Sequence, residues 1–358
     1  MNVQTISPLD LNQADTAAWL QMIGPGSAFE SPFFHPSYVT EMARFRPQIE
    51  LSVVRDGGRP VGFFAFERHG ARTAKPLGLK LADFQGVVCP SGRRISIEEL
   101  LSSAGLSCCH FDHWLTEQSA DKYIMEVSGS PFMDLTSGYE EYLSQRRAAG
   151  SKLLSQTLRK RRKFEREVAP LTFTWNDIAP DALELLWQWK AAQRERTQSV
   201  NILDYEWVRS FLTSLCDADC SGAQGVVSTL RADGRIIAVH LGLHSHSTLH
   251  YWFPAYDTEF QRYSTGSILL LELAQECASR GISRINLGKG EDRYKDSFAS
   301  GAISVATGTV DRVAMRRLVR SSLYAAKTWI KASPLQSAAQ IPKRIIRRWQ
   351  TQRAMQVK

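Results

Sequence analysis

Cysteine is scarce in this sequence, and no two cysteines form a C-x-x-C pair. This pattern favours reduced structural thiols over a disulfide framework or a cysteine zinc site. Long apolar runs are also lacking, because the longest, such as GFFAF and SILLLELA, are too short to span a membrane. The first residues show no basic segment followed by an apolar one, so no export signal is predicted and a cytoplasmic location is expected.

Acidic residues are absent from residues 312–358, which carry twelve Lys and Arg residues. Without them, 32 basic residues face 36 acidic ones, so the net charge of +8 belongs to this basic tail. Its Trp, Ile and Leu residues between cations predict amphipathic helices that bind an anionic membrane surface from the inner face. The alternative is a helix docked on the protein body.

The tail also offers a phosphate-binding spacing, because Arg312, Arg316 and Arg320 recur every four residues. A cyclic dinucleotide is one ligand that such a row would suit, although exposed helix faces often look the same. No nucleic-acid recognition motif appears and the body is net acidic, so nucleic acid is not expected as a partner.

Two segments repeat the same order of elements. VVRDGGRPVGFFAF and STLRADGRIIAVHLGL, aligned on Arg55 and Arg231, share the pattern R-x-x-G-R-x-[VI]-[GA]. Each predicts a β-hairpin, and each is followed by a helical pattern and a short strand. We interpret the repeat as an internal duplication, and a chance match is the alternative. The division predicted is a lobe at 1–135, a lobe at 136–311 and the tail at 312–358.

A strongly basic stretch precedes the second repeat. Nine Lys and Arg residues and two Glu residues lie between Arg146 and Glu167, at spacings that predict a helix ended by Pro170. This helix is either a solvated basic face or a surface that contacts phosphate.

A helix is predicted to begin in the stretch QRYSTGS, after the strand pattern LHYWFPAYD. Small residues at a helix start expose backbone N–H groups, and the helix dipole favours an anion there. No acidic residue occurs in residues 261–271. Five residues are therefore predicted to bind a pyrophosphate: Gln261, Ser264, Thr265, Gly266 and Ser267.

The order RADGRIIAVHLGL, TLHYWFPAYD, STGSILLLELAQECASRG, INLGKGEDRYKDSF resembles the CelD/BcsL family of GNAT-type acetyltransferases. SPFFHPSYV and the first hairpin are similar to that family's N-terminal signature. The resemblance covers most of residues 30–310 and implies an α/β fold of two tandem GNAT-like lobes, here with a basic helical C-terminal extension. It also implies acetyl-CoA as co-substrate, with a saccharide or lipid-linked saccharide of exopolysaccharide synthesis as acceptor.

The same resemblance implies that INLGKGEDRYKDSF is a strand end followed by an active-site Tyr-Lys pair. LGKG lacks the spacing of a phosphate-binding P-loop. Tyr294 is predicted to protonate the leaving thiolate, and Lys295 to hold a phosphate or an oxyanion. The family usually has Asp where Asn286 stands. Acceptor contacts are predicted from Trp252, Tyr256, Asp257, Glu291 and Asp292.

Four histidines in HLGLHSHSTLH raise a metal hypothesis. A turn predicted at Ser245–Thr248 would put His240 and His250 on neighbouring strands, without the converging ligands that zinc requires. No metal is expected. His240 is instead a candidate general base, because a histidine pKa lies near working pH. A buried structural histidine is the alternative.

Two further functions remain open at this stage. The similar fold of the FemAB peptidoglycan transferases allows aminoacyl transfer from tRNA, with the basic helix touching RNA. A non-catalytic regulator that acts through its Arg-rich tail is the third interpretation.

Overall fold

The computed structural model describes residues 1–24, 26–118, 121–197, 202–217, 222–290, 293–313, 315–316 and 322. The strands of this described part are β1 (Asn2–Ile6), β2 (Ile49–Asp56), β3 (Arg59–His69), β4 (Thr73–Lys75), β5 (Cys108–Leu115), β6 (Ile124–Asp134), β7 (Leu171–Thr174), β8 (Gln224–Ala232), β9 (Arg235–Ser245), β10 (Thr248–Tyr256), β11 (Arg284–Asn286) and β12 (Gly301–Asp311). Its α-helices are α1 (Gln13–Met22), α2 (Pro36–Phe45), α3 (Ile97–Ser103), α4 (Tyr139–Ala148), α5 (Lys152–Glu167), α6 (Pro180–Thr197), α7 (Glu206–Ser214), α8 (Thr265–Ser279) and α9 (Arg293–Phe298).

The described chain divides into two compact units. The first comprises residues 1–23, 39–128 and the described residues from 304 onward. The second comprises residues 24–38 and 129–303. Within the described ranges, no helix combines the length and apolarity that crossing a membrane requires.

In the first unit the strand order is β1-β2-β3-β4-β5-β12. The β4–β5 pair is parallel and the other pairs are antiparallel. Aromatic and β-branched residues favour these strands because they pack well on a pleated surface. The buried side chains of β2, β3 and β5 form one core with α3, which includes Phe64, Phe66, Leu100 and Trp114.

In the second unit the order is β6-β11-β10-β9-β8-β7, with β10 and β11 parallel. Helix α8 is apolar on most of its surface and lies between two clusters of this unit's core. One cluster joins it to β10, β11 and α9, and the other joins it to β8 and β9. Helix α5 packs beside it through Leu154 in the first cluster and Phe164 in the second.

The two predicted hairpins have the same register. In β2–β3 a register shift falls between Val54 and Arg55, and Asp56 pairs with Arg59. In β8–β9 the shift falls between Leu230 and Arg231, and Ala232 pairs with Arg235. Both turns have two residues at positive φ, namely Gly57 and Gly58 in one and Asp233 and Gly234 in the other. Equivalent bulges and turns at aligned positions support the internal repeat that the sequence indicated.

The basic stretch before the second hairpin forms two helices rather than one. Helix α4 ends at Ala148, Gly150 takes a positive φ of 79°, and α5 begins after Ser151. The Ser151 hydroxyl accepts the Leu154 N–H and donates to the Ser297 carbonyl, so it fixes the start of α5 against α9.

Candidate active site

Strands β10 and β11 pair over three residues and then separate, which opens a fork in the second unit. The last paired residues are His250 and Asn286. A register shift between His250 and Phe253 follows, and β10 continues to Tyr256 paired with β9 alone. Beyond His250 the edge of β10 that faces β11 has no strand partner in the described part of the chain. Unpaired backbone N–H and C=O groups at such an edge are available to an extended ligand.

Helix α8 begins beside this fork with no side-chain cap. Ser264 precedes the helix in a left-handed conformation, with φ 58° and ψ 48°. The Ser264 carbonyl accepts the N–H groups of Ser267 and Ile268. The N–H groups of Thr265 and Gly266 have no partner among the described residues, and the first turn contains no acid. The helix dipole adds positive potential at the same point, so the start of α8 is suited to an anion.

All five predicted pyrophosphate-binding residues lie at this junction. Gln261 belongs to a 3₁₀ turn, Thr258–Tyr263, and is exposed. Ser264 to Ser267 form the helix start, where the Thr265 hydroxyl is fully buried and makes no hydrogen bond in the described structure. The structure thus brings the five together, and their contact with a cofactor stays a prediction.

Gly266 is small for a steric reason. A Cβ atom at this position would lie 3.0 Å from Cδ1 of the Tyr256 ring, which is tighter than an ordinary contact. Tyr256 is 42% exposed and comes at the end of β10. This predicted acceptor contact therefore lies over the helix start, next to the predicted cofactor residues.

A residue that the sequence did not single out also reaches this junction. The Lys160 ammonium, on α5, donates a hydrogen bond of 2.7 Å to the Ser264 hydroxyl. Lys160 was one of nine cations in the basic stretch, and its spacing alone did not separate it from the others. The Phe164 ring supports the contact by packing on Tyr263 and Phe260 in the 3₁₀ turn.

His240 is fully buried on β9, and neither of its ring nitrogens has a hydrogen-bond partner within the described ranges. Its ring stacks on Tyr251 with centroids 4.3 Å apart. Burial, reinforced by the nearby His250 and Lys190, lowers the pKa of His240 to about 3. The neutral imidazole therefore packs against the ring of Tyr251, a residue that the sequence pattern did not single out. The predicted turn is confirmed, since His240 and His250 lie on neighbouring strands.

The Tyr-Lys pair lies on α9, near the mouth of the fork. Tyr294 is half-buried, packs on the core under α8 and, after burial itself, is the second cause that raises the pKa of Tyr251. Lys295 is 7% exposed, and its ammonium donates to the carbonyls of Gly288 and Lys289 at 3.2 and 3.3 Å. In this arrangement Lys295 fixes the loop after β11. Its predicted phosphate or oxyanion contact would require these bonds to be shared.

Two polar side chains of the fork differ in how they are satisfied. Asn286 is buried at the last paired position of β11, and its Oδ1 has no partner among the described residues. Asp257 caps the 3₁₀ turn by accepting the Glu259 N–H at 2.9 Å, and it pairs with Arg235. Asp257 is thus engaged in local structure, whereas the Asn286 oxygen is buried without a hydrogen-bond partner in the described structure.

The remaining predicted acceptor contacts are Trp252, Glu291 and Asp292. Trp252 is half-buried on β10 and packs against Phe33, Tyr38 and Phe253. Glu291 and Asp292 lie outside the described residues, as do Arg320 and most of the tail. Within the described ranges, no group of three His, Cys, Asp or Glu side chains is arranged to hold a metal ion.

Comparison with known families gives the class of this site. Residues 151–296 match the model described as Acetyltransferase (GNAT) domain. The match begins at Ser151 before α5 and ends in α9, so it includes the fork, the start of α8 and the Tyr-Lys pair. The second unit therefore contains a GNAT acetyltransferase domain, and the protein is an acyltransferase. A comparison with curated protein sequences gave no match.

Solved structures share this fold at low sequence identity. FemX has a TM-score of 0.57 at 11% identity, over 89% of this chain and 99% of FemX. The C-terminal domain of a putative lysylphosphatidylglycerol synthetase from Agrobacterium fabrum has a TM-score of 0.52 at 13% identity, over 88% and 96% of the two chains. L-PGS from Bacillus licheniformis has a TM-score of 0.52 at 13% identity, over 88% of this chain and 97% of L-PGS. The predicted α/β fold of GNAT-like lobes is confirmed, and most of the predicted helical tail lies outside the described residues.

Proposed function

We propose that this acyltransferase transfers an acetyl group from acetyl-CoA to an amine or hydroxyl of a saccharide. The observation that carries the proposal is the uncapped, acid-free start of α8 beside the β10–β11 fork. A helix start of this kind suits a pyrophosphate. The unpaired edge of β10 suits an extended amide chain such as a pantetheine arm, because strand edges bind extended backbones through N–H and C=O groups. Acyl-CoA combines both features in one molecule.

In the proposed reaction the acceptor nitrogen or oxygen attacks the thioester carbonyl directly. The carbon–sulfur bond breaks as the new bond to the acceptor forms, and no covalent enzyme intermediate is needed. Tyr294 would protonate the leaving thiolate. Because the His240 ring is fully buried, a water molecule would carry the acceptor's proton away to solvent. The unpartnered Asn286 oxygen would orient the acceptor or that water.

The proposal extends to the identity of the saccharide acceptor and to its location at the membrane. The family resemblance points to exopolysaccharide synthesis, with an amino sugar or a lipid-linked oligosaccharide as acceptor. Trp252 supplies an aromatic face of the kind on which sugar rings stack. The basic tail 312–358 would hold the protein at the anionic inner face of the membrane, where a lipid-linked acceptor lies. A cyclic dinucleotide at Arg312, Arg316 and Arg320 would add regulation to the same tail.

Aminoacyl transfer from tRNA is the second candidate. The observation in its favour is the solvent-exposed row of cations on α5, which includes Lys152, Arg159 and Arg162. The phosphate backbone of a tRNA would bind to these cations, and its acyl end would bind at the start of α8. The two candidates use the same fork and differ in the carrier that delivers the acyl group.

Thermal unfolding with each carrier separates them. Acetyl-CoA at about a hundred times its dissociation constant should add about 2.7 kcal/mol of stability. Addition of an amino-sugar panel should then release free thiol, measured with a thiol reagent. Adenosine diphosphate is the control, because it has a pyrophosphate and no pantetheine arm, so its shift should be smaller. Stabilisation by aminoacyl-tRNA with none by acetyl-CoA would overturn the proposal in favour of the second candidate.

A further inference from the structure

Lys160 is half-buried on α5, whereas Arg159 and Arg162, the other nearby cations without a carboxylate partner among the described residues, are exposed. Arg161 pairs with Glu272 at 3.0 Å, and Lys163 pairs with Glu167 at 3.9 Å. Arg166 also pairs with Glu167, at 3.4 Å. Lys160 has no carboxylate partner among the described residues, and its ammonium donates a hydrogen bond to the Ser264 hydroxyl. Its charge is thus not neutralised by the helix or by the helix it faces.

The position of this charge is unfavourable in the absence of an anion. Lys160 is half-buried, and an ammonium that leaves water needs a compensating charge. Its partner hydroxyl belongs to Ser264, the residue from which α8 begins, so the ammonium lies at the positive end of that helix dipole. Two positive groups therefore converge on one point. Thr265, the residue after Ser264, has a fully buried hydroxyl with no hydrogen-bond partner among the described residues.

We propose that Lys160 binds the pyrophosphate of the acyl carrier, with Ser264 holding the ammonium in place. This assignment rests on the proposed function, because it requires a carrier that presents a pyrophosphate at the start of α8. It extends the carrier site to α5, an element that no predicted site residue occupies. It also specifies the carrier. Lys160 contacts the pyrophosphate, which is required for tight binding, and does not contact the 3′-phosphate of CoA.

Four ligands of increasing phosphate content test the assignment by calorimetry at about 0.1 M salt. They are pantetheine, 4′-phosphopantetheine, dephospho-CoA and CoA. Lys160→Gln should weaken dephospho-CoA and CoA equally, by about tenfold to hundredfold, because a hydrogen bond to a charged group is lost. Pantetheine binding should not change. Lys160→Arg should restore most of the affinity, since the positive charge is kept.

Lys163→Gln is the matched control, because it removes an exposed cation from the same helix that already pairs with Glu167. It should leave all four affinities unchanged. Near-ultraviolet circular dichroism confirms that each variant is folded, and Lys160→Arg provides a second variant if Lys160→Gln is not.

Three outcomes would overturn the assignment and are distinguishable. If wild type binds none of the four ligands, the proposed function fails. If wild type binds dephospho-CoA and CoA and Lys160→Gln binds them equally well, the Lys160 assignment alone fails. If Lys160→Gln weakens CoA but not dephospho-CoA, Lys160 contacts the 3′-phosphate and the pyrophosphate assignment is wrong.

Discussion

The helices that follow the two equivalent hairpins begin in opposite ways. In the first unit, α3 is preceded by Ser96, whose hydroxyl accepts the Glu99 N–H at 3.3 Å. Glu98 and Glu99 occupy its first turn. In the second unit, α8 is preceded by a left-handed Ser264 without a side-chain cap, and its first turn contains no acid. The first helix start is thus closed by its own side chains, and the second is left open.

This difference shows how one topology supports two roles. A capped helix start with two acids satisfies its N–H groups and stabilises the helix dipole from within the chain. Burial raises the pKa of Glu98, but hydrogen bonds from Tyr123, its own backbone, Lys122 and Ser96 together lower it to about 2. An open start gives up that stability and leaves N–H donors without a partner among the described residues. The first turn, rather than the strand order, distinguishes the two units.

The most direct test of this difference gives the first turn of α8 an acidic residue like the one in the first turn of α3. Ser267 holds the same helix position as Glu99, the third residue after the capping residue. In Ser267→Glu the carboxylate occupies the start of α8 and repels a pyrophosphate, so acetyl-CoA affinity should fall about hundredfold. Stability should hold or rise slightly, because an acid is favourable in the first turn. Calorimetry with acetyl-CoA measures the first effect and urea unfolding the second.

Gln275→Glu is the control for this substitution, because it adds the same charge at an exposed position two turns further along α8. It should change the affinity by less than about threefold, since screening weakens a distant exposed charge. Equal losses in both variants would show that net charge, rather than the open helix start, governs carrier binding.

The second comparison concerns one position of the hairpins. His240 in β9 aligns with Phe64 in β3, and both side chains are buried. Phe64 stacks on Phe66 with centroids 5.4 Å apart, whereas His240 stacks on Tyr251. In the unfolded chain His240 binds a proton below pH 6.5, but the folded protein keeps it neutral down to about pH 3. Stability is therefore lost as the pH falls through this window.

Replacement of His240 by Phe should remove its share of the pH dependence. Between pH 6.5 and pH 5 the wild type should lose about 2 kcal/mol more than His240→Phe, because each pH unit corresponds to about 1.4 kcal/mol. Any constant packing cost of the larger ring cancels in this difference. Urea unfolding at the two pH values measures it. His35, whose pKa is lowered to about 4, contributes a similar slope that both proteins keep.

The reciprocal variant Phe64→His provides the check. Between pH 6.5 and pH 5 it should lose more stability than the wild type, because a buried imidazole takes up a proton on unfolding. If His240→Phe and wild type lose the same stability on acidification, His240 is protonated or hydrated in the folded state, and the buried neutral assignment is wrong.

The hairpins and the α8 junction could be predicted because each depends on residues that are adjacent in the sequence. The Asp-Gly turn fixes the β8–β9 hairpin through the positive φ of Asp233 and Gly234. Small residues without acids in the stretch from Ser264 to Ser267 indicated the open helix start. Local chemistry of this kind is readable without knowledge of the packing.

Contacts across the fold could not be predicted in the same way. Lys160 and Ser264 are 104 positions apart, and nothing in the basic stretch shows which of its nine cations contacts the residue before α8. His240 became a general-base candidate from the ordinary histidine pKa, whereas its burial depends on the Tyr251 ring and on the register shift in β10. Both features follow from tertiary packing, which residue order alone does not specify.

The smallest expected effect comes from the position that makes room for His240. Gly242 in β9 aligns with Phe66 in β3, and a Cβ atom on Gly242 would lie 2.5 Å from the His240 ring and 2.9 Å from the His250 carbonyl. The backbone oxygen cannot easily move, so Gly242→Ala should cost about 1.5 kcal/mol in urea unfolding. Gly24→Ala is the control, because nothing lies within 4 Å of its Cβ position. In the first unit the aligned position holds the aromatic ring of Phe66. If Gly242→Ala did not change the free energy of unfolding, the second unit would have the same space and His240 would not be confined there. A loss confined to Gly242→Ala would show that the glycine is needed to hold the histidine beneath Tyr251.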